Sequence, residues 1–145
     1  LRRDIKSFFN SYQSAIDEAT ELLFSVGIPE TMYNACEDAF KTLKCGQMED
    51  NHSYTFHKDY LGDVNPQLRV YVGCATQLYG DLNDVQLIKA HIRSGKVSLM
   101  RYDNWQLDVP HLTTRVKIRL RDLEIDFFDH TDEVQGLMDK SAYTR

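Results

Sequence analysis

Residues 67–105 decide the fold, and they read QLRVYVGCATQLYG, DLNDVQLIKAHI, RSG and KVSLMRYDNW in chain order. Up to Gly80, apolar side chains recur at the spacing of one helical face, and Asn65-Pro66 supplies a helix cap and a first helical residue. Beyond Gly80 the pattern changes to alternation on both sides of the three-residue turn at 93–95. The stretch predicts a helix followed by a β-hairpin, and the helix gives this hairpin the apolar partner that two strands alone need.

This helix carries Gly73 in its middle, which costs about 1 kcal/mol relative to alanine. Close approach of another element would explain the glycine.

Two further helices are predicted before this stretch. Apolar residues from Ile5 to Val26 follow helical periodicity, and Gly27 and Pro29 end that helix and begin the next one, which stops at Gly46. The connection between them is short, so residues 1–46 are expected to form an antiparallel helical hairpin. Residues 47–53 are polar and are expected to form a loop.

A second β-hairpin follows the first. The segment 115–121 alternates strictly between basic and apolar residues, and 124–128 can pair with it across a turn at Asp122-Leu123. This register places Arg121 opposite Glu124 and Arg119 opposite Asp126. Asp-Leu is not a favoured two-residue turn, so a longer loop would shift the register by one or two residues.

Together these elements predict an α+β fold, with three helices packed on one face of an antiparallel β-sheet of about four strands. The 145 residues are the size of a single domain. Its parts are a helical hairpin (1–46), a short strand plus helix (53–80), two β-hairpins (84–130) and a polar tail (131–145). The chain opens on Leu1, so it is compatible with a fragment of a longer protein.

No apolar run is long enough to span a membrane. The three cysteines form no C-x-x-C pair, which favours free thiols and a cytoplasmic location. No H-x-x-x-H spacing, glycine-rich phosphate loop or G-x-S-x-G motif occurs. The sequence therefore predicts no cofactor, no metal site and no catalytic residue.

Charge is distributed unevenly along the chain. The net charge is −5, yet residues 85–121 contain eight basic and two acidic residues, which leaves −11 for the remainder. This asymmetry indicates either a surface that faces a polyanion or two halves of the chain that attract each other.

The basic residues at the first hairpin are the best nucleic-acid candidates, because no acidic residue accompanies them. The predicted contacts come from Lys89, His91, Arg93, Lys96, Arg101 and Trp105. Arg101 is expected on the opposite strand face from Lys96. A solubilising turn remains an equal alternative, and a structural role is the plainer interpretation of His91 and Trp105. The basic strand 115–121 could also contact phosphates, but the predicted register pairs two of its four cations with carboxylates, so a solvated face of charge pairs is the preferred interpretation.

A family resemblance accompanies these patterns. LRVYVGCA at 68–75, I-K-x-H at 88–91 and K-V-S at 96–98, followed by Tyr102 and Trp105, resemble the segment after the methyltransferase part of DNA phosphorothioation-associated methyltransferases. DIKSFF at 4–9 and LLFS at 22–25 also resemble the helical lead-in of that family, so the resemblance covers roughly residues 4–128 and is most specific at 68–102. The chain departs from that pattern at Val72, where the family has Glu, and at Trp105, where it has Phe. The methyl-donor motifs do not occur in these residues.

The resemblance implies an accessory DNA-binding or target-recognition domain in a bacterial DNA modification and defence system. Its partners would be DNA and a methyltransferase or restriction enzyme, in cis or in trans. Two alternatives stay open: a protein-interaction subunit of such a complex, and a small metal-dependent nuclease or hydrolase.

Overall fold

The computed structural model describes residues 10–11, 13–14, 28–133 and 135–144. The described elements comprise two α-helices, six β-strands and two short 3₁₀ helices. In chain order they are α1 (Pro29–Leu43), β1 (Gln47–Glu49), β2 (Ser53–His57), a 3₁₀ helix (Lys58–Asp63), α2 (Pro66–Tyr79), β3 (Leu87–His91), β4 (Lys96–Asp103), β5 (His111–Arg119), β6 (Glu124–Asp129) and a 3₁₀ helix (Lys140–Tyr143). Of the predicted first helix, residues 10, 11, 13 and 14 are helical, and the rest of it lies outside the described residues.

The sheet has six strands, so the prediction of about four was wrong. Its strands are antiparallel neighbours in the order β1-β2-β3-β4-β5-β6. The predicted hairpins are β3–β4 and β5–β6, and β1 and β2 extend the sheet at one edge. β2 is the short strand predicted at the start of residues 53–80. The predicted loop at 47–53 was wrong, because β1 lies there, and its three residues are too few to show an alternating pattern. The α+β class itself agrees with the prediction.

Asn65 joins the two helices. Its Oδ1 accepts a hydrogen bond from the Leu68 N–H at 2.9 Å, which is the predicted cap, and its Nδ2 donates to the Ala35 carbonyl at 2.7 Å. The expected close approach at Gly73 is wrong, because a Cβ placed there would meet nothing within 4 Å. Gly46 is the constrained glycine: its φ is +94°, and a Cβ there would lie 2.6 Å from the Thr55 carbonyl oxygen.

Both helices pack on the same face of the sheet, and the core lies between the helices and that face. The first hairpin has the predicted faces, since Ile88 pairs with Leu99 and Ala90 with Val97, all four fully buried. The core also takes in inward side chains of β2 and β5 and the buried faces of α1 and α2. Side chains at alternate positions therefore point to the opposite side, which we call the outer face.

The register of the second hairpin differs from the prediction by two residues. Arg119 pairs with Glu124 and Lys117 with Asp126, across a loop of residues 120–123 in which Leu123 has φ +55°. A four-residue loop replaces the disfavoured two-residue turn. A shift of two keeps every side chain on its predicted face, but it moves Arg121 off the strand and into the loop.

The predicted polar tail folds back as a C-terminal strap, residues 135–143, over one end of the outer face. The Leu112 N–H donates to the Gln135 carbonyl at 2.9 Å, and the Gly46 N–H donates to the Ala142 carbonyl at 2.7 Å. Tyr143 is buried, and its hydroxyl donates to Gln47 Oε1 at 2.6 Å. The strap thus runs from β5 to β1 and leaves the other end of the outer face uncovered by it.

Candidate nucleic-acid interface

Five cations form a basic band on the outer face of three adjacent strands. Lys89 on β3 pairs with Ser98 on β4, and Ser98 pairs in turn with Lys117 on β5, so all three side chains share one face. Lys96 pairs with Arg119, and Arg115 lies two residues before Lys117 on the same face. The basic band consists of Lys89, Lys96, Arg115, Lys117 and Arg119.

Carboxylates lie on both sides of this band, on β1 and on β6. Glu49 on β1 lies 3.6 Å from Lys89 Nζ, and Glu124 on β6 forms an ion pair with Arg119. Asp126 is the register partner of Lys117. Within the described part of the chain, no ion pair shorter than 4.0 Å joins a carboxylate to the three remaining cations, Lys96, Arg115 and Lys117.

Mutual repulsion among these cations is visible at Lys117. Burial lowers the pKa of its ammonium group, the positive charges of Lys96 and Arg115 lower it further, and Asp126 only partly opposes them. Burial is the largest cause of the lowered pKa, and the further lowering by Lys96 and Arg115 has the sign expected of like charges that lie close together.

His91 lies next to the band, at the end of β3, and is neutral at physiological pH. Its Nε2 lies 3.1 Å from Ser98 Oγ, and its ring meets the His52 ring edge-on at a centroid distance of 5.6 Å. Burial lowers its pKa from 6.5 to about 4, and the charges of Lys89, His52, Lys117 and Lys96 act in the same direction. The imidazole can therefore exchange hydrogen bonds with Ser98 or a ligand without adding charge.

Helix α2 holds the bend of the first hairpin in place. The Tyr71 hydroxyl donates to the His91 carbonyl at 3.0 Å and to the Lys96 carbonyl at 3.3 Å, one residue on each side of the bend. Burial raises the pKa of Tyr71 well above its usual value of 10, so it remains a donor. This tether fixes the backbone from which His91 and Lys96 project.

The predicted site residues fall into three groups. Lys89 and Lys96 belong to the basic band, His91 lies beside them, and Arg93 is exposed in the adjoining hairpin loop. Arg101 lies apart from them, 3.9 Å from Asp84. Trp105 is also separate from them. The centroids of the Trp105 and His57 rings are 5.3 Å apart, and Lys140 Nζ of the strap lies 5.4 Å from the Trp105 ring centroid.

Sequence reasoning missed the contribution of β5. Arg115, Lys117 and Arg119 were interpreted as a charge-paired face, and only Arg119 has a close ionic partner in the described hairpin. The alternation of 115–121 placed the cations on one face correctly. Their position beside Ser98 and Lys96 depends on the β4–β5 register, which includes a bulge next to Tyr102 that no turn signal announces.

Neither a metal-binding cluster nor a membrane-spanning helix occurs among the described residues. No group of three or more His, Cys, Asp or Glu side chains is placed to hold a metal ion. No described helix is long and apolar enough to cross a membrane.

Comparison with known proteins gives no relative: no protein-family model matches the chain, and neither a curated protein nor a solved structure matches it. The resemblance carried by residues 68–105 therefore remains a prediction.

Proposed function

We propose that this protein is a nucleic-acid-binding accessory domain that contacts phosphate groups through the basic band. The observation that carries the proposal is the set Lys96, Arg115 and Lys117, three cations on neighbouring strands with no carboxylate within ion-pair distance in the described fold. A bound phosphate would relieve their repulsion, and the release of its counterions would add favourable free energy.

Because the net charge of the protein is −5, we expect a polyanion to be attracted to one part of the surface and not to the protein as a whole. Anions are repelled by most of the surface and attracted only where positive charge is concentrated, so the basic band defines where and how a polyanion lies. Phosphate contacts position a nucleic acid without reading its sequence. We therefore assign the band a docking role and leave base selection to other contacts.

The setting of this activity comes from the family resemblance. An accessory domain beside a DNA-modifying methyltransferase or a restriction enzyme would hold the nucleic acid while its partner performs the chemistry. This assignment to DNA modification and defence is part of the proposal and rests on that resemblance alone.

Binding to fluorescein-labelled oligonucleotides, measured by polarisation at about 50 mM salt, tests the proposal. We expect Lys96→Ala and Lys117→Ala each to weaken binding roughly 3- to 10-fold, because each removes one phosphate contact. Lys41→Ala is the matched control: Lys41 lies on α1 and pairs with Glu37 at 2.6 Å, away from the outer face. Absence of binding, or equal weakening by all three variants, would exclude the basic band as the interface.

A protein-interaction role is the second candidate, and strand β6 favours it. β6 is one of the two edge strands of the sheet. Phe127 within it is 62% exposed, and Leu123 just before it is 65% exposed. An open strand edge with apolar side chains can pair with a strand of another protein. Retention of nucleic-acid binding by Phe127→Ala would separate this role from the basic band.

A further inference from the structure

The basic band continues onto an exposed aromatic ring, that of Phe128. Phe128 pairs with Arg115 in the β5–β6 register, so it lies on the outer face, and it is 38% exposed. Arg115 Cζ lies 5.1 Å from the ring centroid, and Lys117 Nζ lies 5.8 Å from it. A planar apolar surface therefore adjoins two of the three cations that have no carboxylate within ion-pair distance.

Positive charge over a partly exposed aromatic ring fits a particular form of nucleic acid. In a duplex the bases are stacked inside and present only their edges to a protein, whereas single-stranded bases expose faces that stack on aromatic rings and guanidinium planes. The duplex alternative usually requires an element that enters a groove, commonly an α-helix. Helices α1 and α2 both lie on the opposite side of the sheet.

We infer that the outer face binds a single-stranded nucleic acid, with one base stacked on Phe128 and the adjoining phosphates held by Lys117, Lys96 and Lys89. This inference rests on the proposed function and specifies its ligand. The strand would run across β6, β5, β4 and β3, from the aromatic ring toward the bend that Tyr71 anchors.

The dimensions of the face agree with a short segment. Neighbouring strands are roughly 4.8 Å apart, so the path from β6 to β3 covers about 14 Å. A nucleic-acid strand carries one phosphate per 3.4 Å or more of its length, so at most about four phosphates fit along that path. The basic band supplies cations on three of the four strands that this path crosses. The strap covers the other end of the outer face, and this path lies outside the region that it covers.

The chain offers a matched pair of variants for the test. Phe128 and Phe127 are adjacent in sequence, but Phe127 pairs with Val116 and lies on the helix-facing side of the sheet. We would measure polarisation of labelled single-stranded dT12, single-stranded rU12 and a 12-base-pair duplex with wild type, Phe128→Ala, Phe128→Tyr and Phe127→Ala. Thermal melting of each variant establishes that it is folded.

The expected result has three parts. Wild type binds at least one of the two single strands more tightly than the duplex. Phe128→Ala weakens that binding about 5- to 150-fold, because one base loses its stacking partner, and Phe128→Tyr restores it. Phe127→Ala stays within about two-fold of wild type, since its ring faces away from the strand.

Failure of the inference is distinguishable from failure of the proposed function. Equal or tighter binding to the duplex, or equal effects of Phe128→Ala and Phe127→Ala, overturns the single-strand inference even where Lys96→Ala and Lys117→Ala still weaken binding. Absence of binding to all three probes overturns the proposed function and the inference together.

Discussion

Protonation of His91 should destabilise the folded protein in mild acid, and the size of this effect can be worked from its surroundings. The folded-state pKa is about 4, below the ordinary value of 6.5, chiefly because of burial and then because of Lys89. The unfolded chain therefore binds more protons than the folded chain between these two values. Stability is fully present above about pH 6.5 and is lost as the pH falls toward 4.

Linkage gives an upper limit of about 2 kcal/mol for the loss of unfolding free energy between pH 7 and pH 5. The ring is only partly buried and salt screens the lysine charges, so we expect about 1 kcal/mol. His57 adds a loss of the same sign, because burial lowers its pKa too. The perturbation that isolates His91 is therefore the substitution His91→Gln, which keeps a polar side chain but removes the titrating ring.

Urea unfolding of wild type and His91→Gln at pH 7, 6 and 5 provides the assay. We expect wild type to lose about 1 kcal/mol more than the variant between pH 7 and pH 5. Parallel pH dependence in the two proteins would refute the reasoning, because it would mean that His91 is protonated as easily in the fold as in the unfolded chain.

Three further predictions concern the stability of the fold and of the first hairpin. Gly73→Ala should raise the free energy of unfolding in urea by about 1 kcal/mol, and a lower value than wild type would contradict the open surroundings of that site. Gly46→Ala should lower it by about 2 kcal/mol or more, because the added Cβ would meet the Thr55 carbonyl. Asn65→Ala should cost about 1–2 kcal/mol in the same assay, since it removes both the cap and the link to α1, and a neutral result would contradict both. Tyr71→Phe should cost about 1 kcal/mol and speed amide exchange at the bend of the first hairpin, and unchanged exchange would show that the tether does not hold the bend.

The sequence predicted the elements that carry strong local signals. Asn65-Pro66 begins α2 as expected, Gly80 ends it, and the alternation around residues 93–95 forms the first hairpin. The faces of β5 and β6 were predictable as well, because a shift of two residues leaves the alternation unchanged.

Long-range pairing could not be predicted in the same way. β1 is three residues long and polar, and the strap is held largely by backbone hydrogen bonds such as Gly46 N–H to the Ala142 carbonyl, which depend little on side-chain identity. The basic band needs β5 beside β4, and the seven-residue connection 104–110 gives no register for that pairing. Trp105 was assigned to the site by its type, and in the fold it packs against His57 and Lys140 instead.

The salt dependence of single-strand binding tests most directly whether the basic band neutralises phosphates. A plot of the logarithm of the binding constant against the logarithm of salt concentration should have a slope of about −2 to −3 for three or four contacts, at about 0.7 per contact. Lys117→Ala should reduce its magnitude by about 0.7, and Lys41→Ala should leave it unchanged. A slope near zero, or one that Lys117→Ala does not alter, would contradict the account.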